Sequence, residues 1–281
     1  MTDERKKSIL CPNCSKLISS DEQVCPHCGV SRPGVWWKNI PLTRTFLSGE
    51  QIIRTLIYVN AGMYLISLVY NPSTMGLSAN PFRFLSPSSR ALLVLGSTGT
   101  VPIDQWHRWW TLLSANYLHG GILHILFNMM ALHQIGPLVL REYGANRLII
   151  LYTFGGVIGF FISYLAGVRF TLGASAAVCS LIGASLYYGK SRGGTYGHAI
   201  YRQISGWVLG LFLFGFLVPG INNWGHGGGI GAGIILGLLL GYQERIRENL
   251  LHKILAAICV ILTIVILLWA TTSSFYYRLL G

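Results

Sequence analysis

Charge is what this sequence lacks most. Only 11% of its 281 residues are charged while 52% are hydrophobic, and the mean hydropathy is +0.52. A soluble domain carries about 25% charged residues, so the composition excludes an ordinary soluble domain and predicts an all-α, polytopic membrane protein. Acidic residues are the scarcest: nine in all, and none between Glu142 and Glu244. The net charge is therefore +12. The basic residues lie between apolar runs, a pattern that sets membrane topology rather than one that binds nucleic acid. A cleavable signal peptide is not expected either. The start, Met1-Thr-Asp-Glu-Arg-Lys-Lys, runs into cysteines and polar residues, so the first apolar run is expected to be an uncleaved anchor.

Seven apolar runs are present, near 53–70, 119–140, 148–167, 174–188, 204–218, 226–242 and 254–271. Runs four to six are short against the roughly 20 residues a helix needs to cross a bilayer, which suggests a site open to water from one side. Trp36, Trp37 and Lys38 resemble an interfacial anchor ahead of the first span. Sixteen of the 21 Lys and Arg fall on the side of the N-terminus when the runs alternate. The positive-inside rule then predicts a cytosolic N-terminus and a C-terminus on the opposite side, in the cell membrane.

Four of the six cysteines form Cys11-Pro-Asn-Cys14 and Cys25-Pro-His-Cys28. Paired thiolates at this spacing close a tetrahedral zinc site, and a segment of about 30 residues needs such a metal to fold. Disulfides or a redox pair are the alternatives. Zinc predicts a reducing compartment, in agreement with the charge count. His27 is read as a neighbour of the site, and Cys179 and Cys259 as small apolar residues in helices.

The chemistry centres on Leu172-Gly173-Ala174-Ser175-Ala176-Ala177. Gly173 permits a tight turn, and Ser175 falls in the first turn of a helix, where N–H groups lack intrahelical partners. A hydroxyl beside free N–H donors holds the ingredients of a nucleophile and an oxyanion site. Small residues around one Ser are also ordinary packing surface in membrane helices. The other polar residues shift the balance. His119, His124 and Asn128 begin the second run and His226 begins the sixth, and on the predicted topology all enter from the side where Ser175 lies. Gly225, Gly229, Gly233, Gly237 and Gly241 recur every fourth residue, a bare stripe that would let the sixth run approach the fourth and bring His226 to Ser175. With no carboxylate in runs three to six, a Ser175–His226 dyad is the economical reading. His124 and Asn128, at i and i+4, share a helix face and could donate to an oxyanion. Zinc on His119, His124 and His226 is disfavoured, because no His-Glu-x-x-His motif or nearby carboxylate is present to activate a water.

At Leu118-His119-Gly-Gly-Ile-Leu-His124-Ile-Leu-Phe-Asn128, Gly173-Ala-Ser175 and Asn223-Trp224-Gly225-His226-Gly-Gly-Gly229 the chain resembles the rhomboid family of intramembrane serine proteases. Arg108 resembles the family's Trp-Arg motif. The resemblance runs over about 51–245 and implies a six-helix core, a Ser175–His226 dyad, an oxyanion site including His124 and Asn128, and cleavage of transmembrane substrates near the outer face without a catalytic cofactor. Four positions depart from the family pattern: Ala176 for a second Gly, Cys179 for an aromatic, His107 for Trp, and Asn222 for a frequent Asp. The resulting division is a zinc ribbon over 1–32 held by Cys11, Cys14, Cys25 and Cys28, a linker and interfacial segment over 33–50, the protease core over 51–245, and a seventh transmembrane helix over 246–281. Two rivals are an inactive rhomboid-like protein that binds membrane segments and a proton-linked transporter using the buried histidines. The retained Ser175, His226, His124 and Asn128 oppose the first; the missing acids oppose the second.

Overall fold

The computed structural model describes residues 8–12, 16–27, 29–35, 49–70, 76–77, 84–218 and 220–280. Cys14, Cys28 and the expected anchor at Trp36, Trp37 and Lys38 lie outside them. The chain divides into two compact units, 1–56 and 57–281.

In the first unit, β1 (Ser8–Leu10) and β2 (Leu17–Ser19) pair antiparallel with Ile9 opposite Ile18. Cys11 follows β1, Cys25 follows an isolated bridge residue, and both are buried against Ile18. The two turns are built alike: Cys11 N–H donates to Lys16 O at 2.9 Å and Cys25 N–H to Val30 O at 2.8 Å, each across five residues. Among the described residues, no group of three or more His, Cys, Asp or Glu is placed to hold a metal.

Helix α1 (Gly49–Tyr70) is followed by a short hairpin of β3 (Gly76–Leu77) and β4 (Phe84–Ser86). Three short helices come next: α2 (Ser89–Val94), α3 (Thr100–Trp106) and α4 (Thr111–Ser114). Six long helices complete the second unit: α5 (Ile122–Tyr143), α6 (Ala145–Leu165), α7 (Ser175–Arg192), α8 (Gly194–Leu217), α9 (Asn223–Leu240) and α10 (Leu250–Leu280). Helices α1, α5, α6, α8 and α10 are long and apolar enough to cross a membrane. The chain is an integral, multi-pass membrane protein. The remaining two, α7 and α9, have 18 residues each, about 27 Å at 1.5 Å per residue, and carry the small residues. They are not among the spans that length and hydropathy pick out, although they form the middle of the bundle.

Helices α6, α7 and α9 meet backbone to backbone. A Cβ on Gly159 of α6 would stand 2.9 Å from Gly225 O, 3.0 Å from Gly229 N and 3.1 Å from Ala176 Cβ. Gly229 of α9 faces the carbonyl of Ala176, Gly233 faces that of Ser180, and Gly183 of α7 faces that of Ile230. Without hydrophobic drive between helices in lipid, such close contact is what holds them together. More than half of the α6 span is buried, against 11% of α8, which lies at the rim.

Two expectations are corrected at the helix ends. Gly241 is not the last member of the α9 stripe: it follows the helix with φ +66° and lies against Ile246. Arg147, counted among the loop charges, is buried. It donates to Tyr143 O at 3.1 Å, to Ile246 O and to His252 Nε2 at 3.4 Å. Beside it Glu248 accepts Asn146 N–H at 2.8 Å and Arg147 N–H at 3.1 Å. Its carboxylate thus serves the open N-terminus of α6 and joins it to the segment leading into α10.

Candidate active site

The site assembles around the turn before α7. Gly173 has φ +126°, a conformation that side chains rarely adopt, and its N–H donates to Ala115 O at 2.8 Å. A Cβ there would also strike the His124 ring, 2.6 Å from Nε2, while lying 3.7 Å from Ser175 Oγ. Gly173 is therefore required twice, for its backbone and for the space it leaves. Ser175 is the first residue of α7 and half-buried, so its hydroxyl stands among first-turn N–H groups without intrahelical acceptors.

His124 is aimed at this turn. Gly120 N–H donates to its Nδ1 at 3.3 Å, so in the neutral ring the proton sits on Nε2, the atom 2.6 Å from where a Cβ on Gly173 would stand. Asn128 lies one turn on, nearly buried, and donates one amide hydrogen to His124 O at 2.9 Å. Its second amide hydrogen remains to be used. His119 differs from expectation: it precedes α5 rather than lying on it. Fully buried, it accepts Ala174 N–H on Nε2 at 3.5 Å and packs edge-on against His124, ring centres 5.1 Å apart.

His226 lies in the first turn of α9, one turn before Gly229, with its N–H donated to Asn222 O at 3.1 Å. Its Nδ1 is buried and has no hydrogen-bond partner among the described residues. Ser175 and His226 make no hydrogen bond to each other. Their helices are in contact one residue beyond the serine, through Ala176 and Gly229.

Residues 106–243 match the rhomboid domain. The chain is 34% identical over 145 residues to "Rhomboid protease GluP" of Bacillus subtilis, covering 52% of this chain and 28% of that protein. It is 33% identical over 147 residues to "RHOMBOID-like protein 4" of Arabidopsis thaliana, covering 52% and 37%. It is also 28% identical over 116 residues to "Inactive RHOMBOID-like protein 8" of the same plant, covering 41% and 32%. The chain thus spans less than two fifths of the length of these relatives. Over about half of its length the chain is similar to rhomboid proteins.

Within the matched region, the positions that differ from the rhomboid pattern acquire a physical account. Cys179 is buried and faces Gly229, 3.0 Å from where a Cβ would stand, so a small side chain suits the helix contact. His107 ends α3 in the left-handed conformation, φ +53°. Asn222 caps α9, its Oδ1 accepting Gly225 N–H at 3.0 Å. Sequence reading started this helix at His226; an Asn ahead of an apolar run is a cap signal that would have started it earlier. The buried partners of that Asn, Ser163 and Thr171, carry no sequence signal.

Proposed function

We propose that this chain is a rhomboid-type intramembrane serine endopeptidase in which Ser175 is the nucleophile and His226 the general base. The observation that carries the reading is that His124 Nε2 and Ser175 Oγ both border the space left at Gly173, 2.6 and 3.7 Å from where a Cβ would stand. Ser175 Oγ attacks the substrate carbonyl carbon while His226 takes its proton. The negative oxygen that forms is met by the His124 Nε2–H, the free amide hydrogen of Asn128 and the Ser175 N–H. His226 returns the proton to the leaving amine as the C–N bond breaks. Water then enters by the same route, and an acid and the free serine result. The absence of a Ser175–His226 bond is compatible with this, since catalytic hydrogen bonds in ligand-free sites are often long and tighten with substrate.

The substrates are transmembrane segments, cut near the outer face, and the lipid bilayer is the other partner. No cofactor takes part in catalysis. The termini lie as the charge pattern predicts, with the N-terminus cytosolic, the C-terminus opposite and the protein in the cell membrane. Cys11, Cys14, Cys25 and Cys28 would hold a structural zinc. The like turns at Cys11 and Cys25, both buried beside Ile18, fit two knuckles that present thiolates to one ion. When bound, the metal supplies folding energy to the ribbon and none of the peptidase chemistry.

A non-catalytic membrane binder is the second reading, favoured by the unbonded Ser175–His226 pair and the likeness to an inactive relative. A fluorophosphonate probe separates the two. Wild-type protein in detergent is expected to be labelled and Ser175→Ala not. An unlabelled wild type, or equal labelling of both, overturns the protease reading.

A further inference from the structure

Ser175 and His226 sit on different helices and do not bond to each other, so their separation is set by whatever joins the two helix starts. Below them, the Gly229–Ala176 contact fixes how close α9 comes to α7. The Gly233–Ser180 and Ile230–Gly183 contacts lie further down the same pair of helices, so all of them lie below His226. An attachment above these contacts fixes the first turn of α9.

Asn222 provides one. Its side-chain amide has one acceptor and two donor hydrogens, and all are used. Oδ1 accepts Gly225 N–H at 3.0 Å; Nδ2 donates to Ser163 Oγ at 2.7 Å and to Thr171 Oγ1 at 2.9 Å. Its main-chain O accepts the N–H of His226 itself at 3.1 Å. Ser163 belongs to α6 and is fully buried; Thr171 stands four residues before Ser175 and is nearly so. Thr171 is itself fixed, paired with Thr98 through backbone bonds of 2.9 and 2.7 Å, and Thr111 Oγ1 donates to Thr98 Oγ1 at 3.0 Å. One side chain therefore touches the start of the histidine helix, the central helix and the segment leading to the serine.

We propose that Asn222 is a positioning residue that holds His226 at its working distance from Ser175 by binding the start of α9 to the segment that carries the nucleophile. This rests on the protease reading above. Asn222 does not reach the reacting atoms; it acts through the two residues it aligns.

The test uses the full chain in detergent and a fluorophosphonate probe, measuring the maximal labelling rate and the half-saturating probe concentration separately. Asn222→Ala is expected to slow maximal labelling by about 10- to 100-fold, the scale of an ångström-sized misplacement, with the half-saturating concentration unchanged. Asn222→Asp is expected to restore most of the rate. A carboxylate can still accept Gly225 N–H, and the Ser163 and Thr171 hydroxyls can turn to donate. A residue that only stabilised the fold would change the melting temperature, not the labelling rate of folded protein. Thr171→Val removes one of the three side-chain bonds, leaves the backbone pairing to Thr98, and is expected to slow labelling by about 3- to 10-fold. It carries the test should Asn222→Ala not fold.

Wild-type rates in Asn222→Ala or in Thr171→Val overturn the proposal while leaving the protease reading intact, and so does an Asp variant no better than Ala. An unlabelled wild type overturns both.

Discussion

His124 shows how much one residue's chemistry depends on a bond to its far side. Gly120 N–H occupies Nδ1, and that bond alone puts the ring proton on Nε2, facing the serine turn. On the proposed mechanism, Asn128 has two tasks. One amide hydrogen holds the carbonyl of His124, and the other is free for a developing oxyanion. Removing a donor of this kind costs about 10²–10³ in kcat where it has been measured in other enzymes. Asn128→Ala is accordingly expected to lower kcat on a transmembrane peptide substrate by that order while KM stays near wild type. Steady-state kinetics decide it: a KM effect with kcat unchanged would make Asn128 a binding residue only.

At the scale of the element, the α7–α9 contact is the controlling feature. Gly229 faces the Ala176 carbonyl and Cys179, and Gly233 faces the Ser180 carbonyl, so no side chain fits at either position. On the opposite side of the same helix, a Cβ on Gly231 meets nothing within 4 Å. Leucine at 229 must push the helices apart next to the dyad, and a displacement of an ångström costs about 10²-fold in rate. Gly229→Leu is therefore expected to abolish cleavage in a protein that still inserts, and Gly231→Leu to retain it. Gly241, which by sequence alone looks like the mild control, is unsuited to that use because its positive φ strains any side chain placed there. Equal loss at 229 and 231, assayed in detergent and in liposomes, would detach the glycine spacing from catalysis.

For the whole molecule, the question is which parts the chemistry needs. The buried Arg147 and the Glu248 carboxylate tie the start of α6 to the segment before α10. Hydrogen bonds to charged groups contribute about 1.5–3 kcal/mol each, so this junction helps define the bundle's fold. The N-terminal unit is different. It forms its own small core around Cys11, Ile18 and Cys25, and none of its residues takes part in the proposed chemistry. One zinc per chain is expected by metal analysis under reducing conditions. Cys11→Ser is expected to lower that content and leave Ser175 labelling unchanged. A zinc-free wild type would remove the ribbon, and a labelling defect in the variant would show that the unit acts on the site.

The sequence by itself determined the membrane class, because hydropathy is a sum over residues and needs no partners. It also determined the candidates Ser175, His226, His124 and Asn128, whose chemistry is unusual in apolar runs and whose spacing matches a known pattern. The i, i+4 relation of His124 and Asn128 and the stripe at Gly229 and Gly233 were legible too, since helix periodicity is local. Only the tertiary structure decided what those residues meet. The tautomer of His124 depends on Gly120, the indispensability of Gly173 on the His124 ring, and the clamp at Asn222 on Ser163 and Thr171, 59 and 51 residues away. The same holds for Arg147, which reads as a loop charge in sequence and is buried by contacts about 100 residues distant. Burial and hydrogen bonding belong to pairs of groups brought together by the fold, and a pattern along the chain records only one member of each pair.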